Sequence, residues 1–138
     1  MQERSDRFDI ALSYTSLSRC DAELIKAWCS PLLTIYDYSD QLERNFGQSV
    51  ERISYDIYAS LPTIILLDQA WWERPITQLE CQILLGNPHP KLVFDYRSSG
   101  FARLEEKGVP AIARGEFTPG GELQRQSVTS YLHDLSLM

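Results

Sequence analysis

The chain reads as an α/β domain, a doubly wound, flavodoxin-like parallel sheet of five strands in the order 2-1-3-4-5. Three observations predict it. Short apolar runs take turns with segments of helical spacing, so consecutive strands need crossover connections and lie parallel. One run, Thr63-Ile64-Ile65-Leu66-Leu67, is apolar almost throughout, as in a central strand covered on both faces. The length of 138 residues suits one core and one domain, residues 1–138.

Phe8, Ile10, Leu12 and Tyr14 alternate with Asp9 and Ser13, giving a first strand that ends in the turn Thr15-Ser16. Leu17, Cys20, Leu24, Ala27 and Trp28 follow helical spacing behind a Ser18/Asp21 cap pair, with Pro31 as the stop. Leu32 to Tyr36 is the second strand, closed by Asp37, and Asp40 to Gly47 a polar loop. Val50, Ile53, Ile57 and Leu61 place a second helix between a Ser49 cap and Pro62. After the third strand, Thr63 to Leu67, a third helix spans Pro75 to Leu85, ended by Gly86-Asn87-Pro88. Leu92-Val93-Phe94, ending at Asp95, is the fourth strand, and Val109 to Ala113 a short fifth. Phe101 to Lys107 between them is a weak helix or loop. Val128, Tyr131, Leu132 and Leu135 give a last amphipathic helix.

Lys and Arg number 13 against 19 Asp and Glu, a net charge of −6, with a pI near 4.8. That balance argues against direct nucleic-acid binding or an anionic-membrane patch. Three cysteines, Cys20, Cys29 and Cys81, without C-x-x-C spacing suggest neither a disulfide framework nor a zinc site, so the expected setting is the cytoplasm. The charged start MQERSDRFDI does not read as a signal peptide, and no apolar run reaches membrane-spanning length.

In a sheet of this order ligands bind beyond the carboxyl ends of the strands, where strands one and three diverge. That places Ser13, Tyr14, Thr15 and Ser16 on one side and Asp68 through Glu80 on the other. A helix stepping about 100° per residue from Ile76 carries Glu80 inside the stripe of Ile76, Leu79, Ile83 and Leu84. A carboxylate there loses hydration, which marks functional residues. The competing reading is a capping box, Thr77-x-x-Glu80, in which the glutamate reaches back to the cap N–H, and position alone favours it. The turn Tyr14-Thr15-Ser16-Leu17-Ser18-Arg19 offers hydroxyls, N–H groups and a guanidinium to a phosphate-bearing ligand, yet lacks G-x-G-x-x-G and the Walker lysine, so ordinary turn chemistry explains it equally well. Asp37, Asp68 and Asp95 follow strands two to four; turn or cap roles are preferred over a cation cluster. Trp71-Trp72 suits either packing or stacking on a flat ring. His89 and His133 lack partners at ligand or triad spacing.

The ordered set of features resembles a Toll/interleukin receptor (TIR) domain. Phe8-Asp9-Ile10-Ala11-Leu12-Ser13-Tyr14 resembles that family's opening strand, Ile35-Tyr36-Asp37 its second, Phe46-Gly47-Gln48-Ser49-Val50 the end of the following loop, and Ile64 to Leu67 its third strand. Thr77-x-x-Glu80 matches the end of the signature S-x-W-[TC]-x-x-E. The match runs from about Phe8 to Leu85 and more loosely to Leu135. Two departures stand out: Ile76 occupies the signature tryptophan position, and Asp68-Gln69-Ala70 replaces the usual serine.

The resemblance implies an NAD glycohydrolase or ADP-ribose cyclase, with NAD+ as substrate, no separate cofactor and no metal, and it passes the catalytic role to Glu80. Tyr14, Thr15, Ser16, Arg19, Asp37 and Thr77 would hold the substrate, and Trp72 would stack on the nicotinamide. It also implies activation by assembly, with Glu43, Arg44, Phe46 and Gly47 in the assembly loop. The partners would be other TIR protomers and a sensor in cis or trans, and the context an effector of bacterial antiviral defence. The alternative is a non-enzymatic scaffold binding other TIR domains, motivated by Ile76. A nucleoside-processing glycosyl transferase is a third reading.

Overall fold

The computed structural model describes residues 8–30, 32–37, 50–95, 100–108, 111–113 and 122–137. Its elements alternate as β1 (Ile10–Ser13), α1 (Arg19–Cys29), β2 (Ile35–Tyr36), α2 (Val50–Ser60), β3 (Thr63–Leu67), α3 (Pro75–Leu84), β4 (Lys91–Asp95), α4 (Gly100–Glu106), β5 (Ala111–Ala113) and α5 (Glu122–Asp134). Short 3-10 turns, Ser16–Ser18 and Gln69–Trp72, follow β1 and β3. Every strand pair is parallel: β1 lies between β2 and β3, β3 also pairs β4, and β4 pairs β5. The alternation of strand and helix is the physical cause, because each helix carries the chain back across the sheet.

Strand parity sorts the core into two layers. Ala11, Ile65, Leu67 and Val93 face Ile57 and Tyr58 of α2, Cys81, Ile83 and Leu84 of α3, and Leu104 of α4. Their neighbours Ile10, Leu12, Ile64, Leu66, Leu92 and Phe94 face Ala22, Ile25 and Cys29 of α1 and Val128, Tyr131 and Leu132 of α5. Ser13 shares the parity of Ala11, so it ends β1 on the α2–α3 side. At the opposite pole, buried Lys91 donates to the Asn87 carbonyl, and the Tyr131 hydroxyl reaches the Pro90 carbonyl at 2.5 Å.

Several sequence expectations need correction. The stripe of α1 is Ala22, Ile25 and Cys29, whereas Leu17, Cys20 and Ala27 are exposed and Leu24 and Trp28 half-buried. The helix begins after a 3-10 turn, which rotates its apolar face away from the phase read from Leu17. Ser18 is its N-cap residue without a side-chain cap bond, since the hydroxyl serves Asp68 instead. The second strand keeps only Ile35 and Tyr36 of the expected run, because Leu32 is exposed and only those two residues pair with β1. Of the two readings of Phe101 to Lys107, helix or loop, the helix is the one observed, over Gly100–Glu106. The expected cap Ser49, the stop Pro31 and the loop 40–47, with Glu43, Arg44, Phe46 and Gly47, lie outside the described residues. Among the described residues no helix is long and apolar enough to cross a membrane.

Candidate functional site

The site forms where β1 and β3 send the chain to opposite sides of the sheet. Ser13, the last residue of β1, pairs with Ile65 of β3, and its hydroxyl donates to Glu80 Oε1 at 2.5 Å. Glu80 is only 3% exposed, because it shares the inward face of α3 with Thr77, Cys81, Ile83 and Leu84. Leu79, expected in that stripe, is instead 41% exposed. Burial pushes the Glu80 carboxyl up to about 8; the Ser13 hydrogen bond pulls it down and the charge of Asp37 adds to the rise.

The capping-box reading of Thr77-x-x-Glu80 is overturned. The N-cap of α3 is Arg74, with no side-chain cap bond, and Pro75 takes the first turn. Thr77 donates to the Trp71 carbonyl at 2.6 Å, with the Arg74 carbonyl at 3.3 Å, and so ties the 3-10 turn to the helix. Glu80 is then free of capping work and turns to Ser13.

Two further residues complete this corner: Trp71, for which the sequence left packing or ring stacking open, and Tyr58, which it did not single out. Trp71 is fully buried and its indole N–H donates to Ser13 Oγ at 2.9 Å. Tyr58 of α2 is fully buried too, and its hydroxyl donates to the Leu12 carbonyl, one residue before Ser13. Burial, with Glu80 as the second cause, holds the Tyr58 hydroxyl well above the usual phenol range. A serine among the apolar residues of β1 was the available signal. Nothing in the sequence says that residues 58 positions apart meet.

The other expected site residues fall into two groups. Asp37, 1% exposed after β2, accepts from the Tyr14 hydroxyl at 2.6 Å and pairs with Lys26 Nζ at 3.1 Å. Thr15 donates to Asp68 at 2.8 Å and Ser18 at 2.6 Å, while Asp68 accepts from the Trp71 backbone N–H at 2.9 Å. The acids after β2 and β3 therefore have structural partners, and among the described residues no cluster could hold a metal ion. Ser16 and Arg19 are exposed. Trp72 is half-buried, edge-on to Trp71 at 5.0 Å, and the Arg103 guanidinium lies 4.0 Å over its ring.

No family model matches the chain, and a search of curated proteins finds no match. The chemistry must therefore be argued from the geometry. A buried carboxyl with one hydroxyl donor, at the carboxyl edge of a parallel sheet, can switch between a neutral form and a carboxylate as a charge comes near. It can oppose a developing positive charge or accept hydroxyl hydrogens from a sugar.

Proposed function

We propose that the chain is a TIR-type effector, with the flavodoxin-like five-stranded fold of that family, which cleaves the nicotinamide–ribose bond of NAD+. The observation that carries the reading is Glu80, buried at the divergence of β1 and β3 and hydrogen-bonded by Ser13. It stands at the glutamate of the family signature, and the sequence resemblance supplies the substrate.

Nicotinamide is a cationic substituent that leaves as a neutral base, so its departure needs no strong acid. It does require stabilisation of an oxocarbenium-like ribose. The pyridinium of the incoming substrate favours the Glu80 carboxylate over its neutral form, and the carboxylate then opposes the charge that builds on the sugar. The glycosidic electron pair leaves with nicotinamide; water adds to the anomeric carbon and loses a proton, giving ADP-ribose. Attack by a group of the ligand itself gives a cyclic product instead. Tyr14, Thr15, Ser16, Arg19, Asp37 and Thr77 surround or support the substrate, and Trp72 flanks the ring. Other TIR protomers and a sensor are the proposed partners, NAD+ is a substrate rather than a cofactor, and the setting is the cytoplasm.

Glu80→Gln removes the charge while keeping the size. Nicotinamide release from concentrated protein should fall by about 100-fold or more in the variant, with the fold retained by circular dichroism. Turnover equal to wild type would end the assignment. Ile76 at the signature tryptophan position favours a second reading, a non-enzymatic scaffold. That reading is selected if wild-type protein releases no nicotinamide at any assembly state while it still binds TIR partners.

A further inference from the structure

The hydrogen bonds around Ser13 have a direction fixed by chemistry. An indole N–H only donates, so at 2.9 Å it must give its hydrogen to Ser13 Oγ. The single hydrogen of the hydroxyl is then aimed at Glu80 Oε1, 2.5 Å away, a bond that the ionised form of the carboxyl can only accept. Bonds in such a chain polarise one another in a buried setting. Trp71 is itself locked: its backbone N–H reaches Asp68, its carbonyl accepts from Thr77, and its ring is buried edge-on to Trp72. Among the described residues Ser13 is the one hydrogen-bond donor to the Glu80 side chain.

We propose that Ser13 and Trp71 are positioning residues for Glu80: the indole N–H commits the Ser13 hydroxyl to donation, and that hydroxyl holds the Glu80 carboxyl in place and favours its ionised form. Their part in turnover rests on the proposed NAD+ reaction, whereas their effect on Glu80 does not. The other ionisable groups around Glu80 do not take this role. Asp37, at the end of β2, opposes ionisation and is itself bound by Lys26 of α1 and by Tyr14. Tyr58 of α2 gives its hydrogen to the Leu12 carbonyl. On α3 itself, Cys81 is a thiol that burial keeps neutral.

The test is a pH titration of the Glu80 side-chain carboxyl by NMR on carbon-13-labelled protein without substrate, the resonance being assigned by its loss in Glu80→Gln. Ser13→Ala should raise the midpoint by about one pH unit and Trp71→Phe by about half that, while Ser13→Thr, which restores the hydroxyl, should bring it back towards wild type. The rising limb of kcat/KM for nicotinamide release should move with the midpoint. A midpoint unchanged in both Ser13→Ala and Trp71→Phe, each shown to be folded, would overturn the proposal and leave the two residues as packing. If the midpoint moves but wild-type protein releases no nicotinamide, the proposed reaction falls and the positioning role stands. Loss of release in Glu80→Gln with an unmoved midpoint gives the reverse.

Discussion

In the proposed reaction Glu80 meets two opposing demands, because the burial that would suit it to a cationic transition state also penalises its charge when no substrate is bound. With the carboxyl raised to about 8, the free protein is mostly neutral at that position near pH 7. If the carboxylate is the working form, kcat/KM for nicotinamide release should climb with pH and level off above about 8, a limb that initial rates from pH 6 to 9 would resolve. The stability consequence has a definite sign. Below about 4.5, the usual carboxyl value, the proton is held in both folded and unfolded chains; between there and 8 only the folded chain keeps it, so stability declines as pH rises. A shift of this size corresponds to roughly 5 kcal/mol as an upper limit. Glu80→Gln has no such titration, so its stability relative to wild type should improve from pH 5 to about pH 8 in urea denaturation and then level off. A constant difference across that range would contradict the burial argument.

The 3-10 turn between β3 and α3 does for the site what a longer loop could not. Asp68 caps it at the Trp71 N–H and at the same time receives Thr15 and Ser18 from the turn after β1, so one carboxylate joins the two segments that leave the ends of β1 and β3. Thr77 clamps the far end. Asp68→Ala should cost about 2 kcal/mol of stability, the sum expected for a lost cap and two hydroxyl partners partly rescued by water. Equilibrium unfolding measures it. The same variant should lower nicotinamide release by more than its stability loss explains, since Trp71 and the turn that follows Ser13 lose their common anchor; release unchanged from wild type would show that the turn needs no lock.

At the scale of the molecule, the sheet separates two apolar layers, and Glu80 lies where β1 and β3 part. If a second protomer completes the site, specific activity should rise steeply with protein concentration and then plateau, as mass action requires. Charge reversal at Glu43 or Arg44 should lower that plateau without lowering the thermal midpoint. Specific activity that stays flat from dilute to concentrated protein would show that each chain carries a whole site.

The amino-acid order alone determined the class of the fold. Periodicity is local, so the runs at Ile10–Ser13 and Thr63–Leu67 and the helical spacings after each could be read within a few residues, and alternation made the strands parallel. It also placed Glu80 on an inward helical face, because a stripe needs only the pitch of the helix. It could not say which way that carboxyl turns. The cap alternative needed Thr77 as the N-cap, whereas α3 starts at Pro75, where the spacing had put it, with Arg74 as its N-cap and Thr77 inside the helix. The 3-10 turn before α1 shifted the phase of that helix's stripe and left Leu17 in solvent. The chain of bonds from Trp71 through Ser13 to Glu80, and the pairing of Asp37 with Tyr14 and Lys26, join residues from separate elements. Such contacts leave no periodic trace in a sequence, since they arise only when the sheet brings the ends of β1, β2 and β3 side by side.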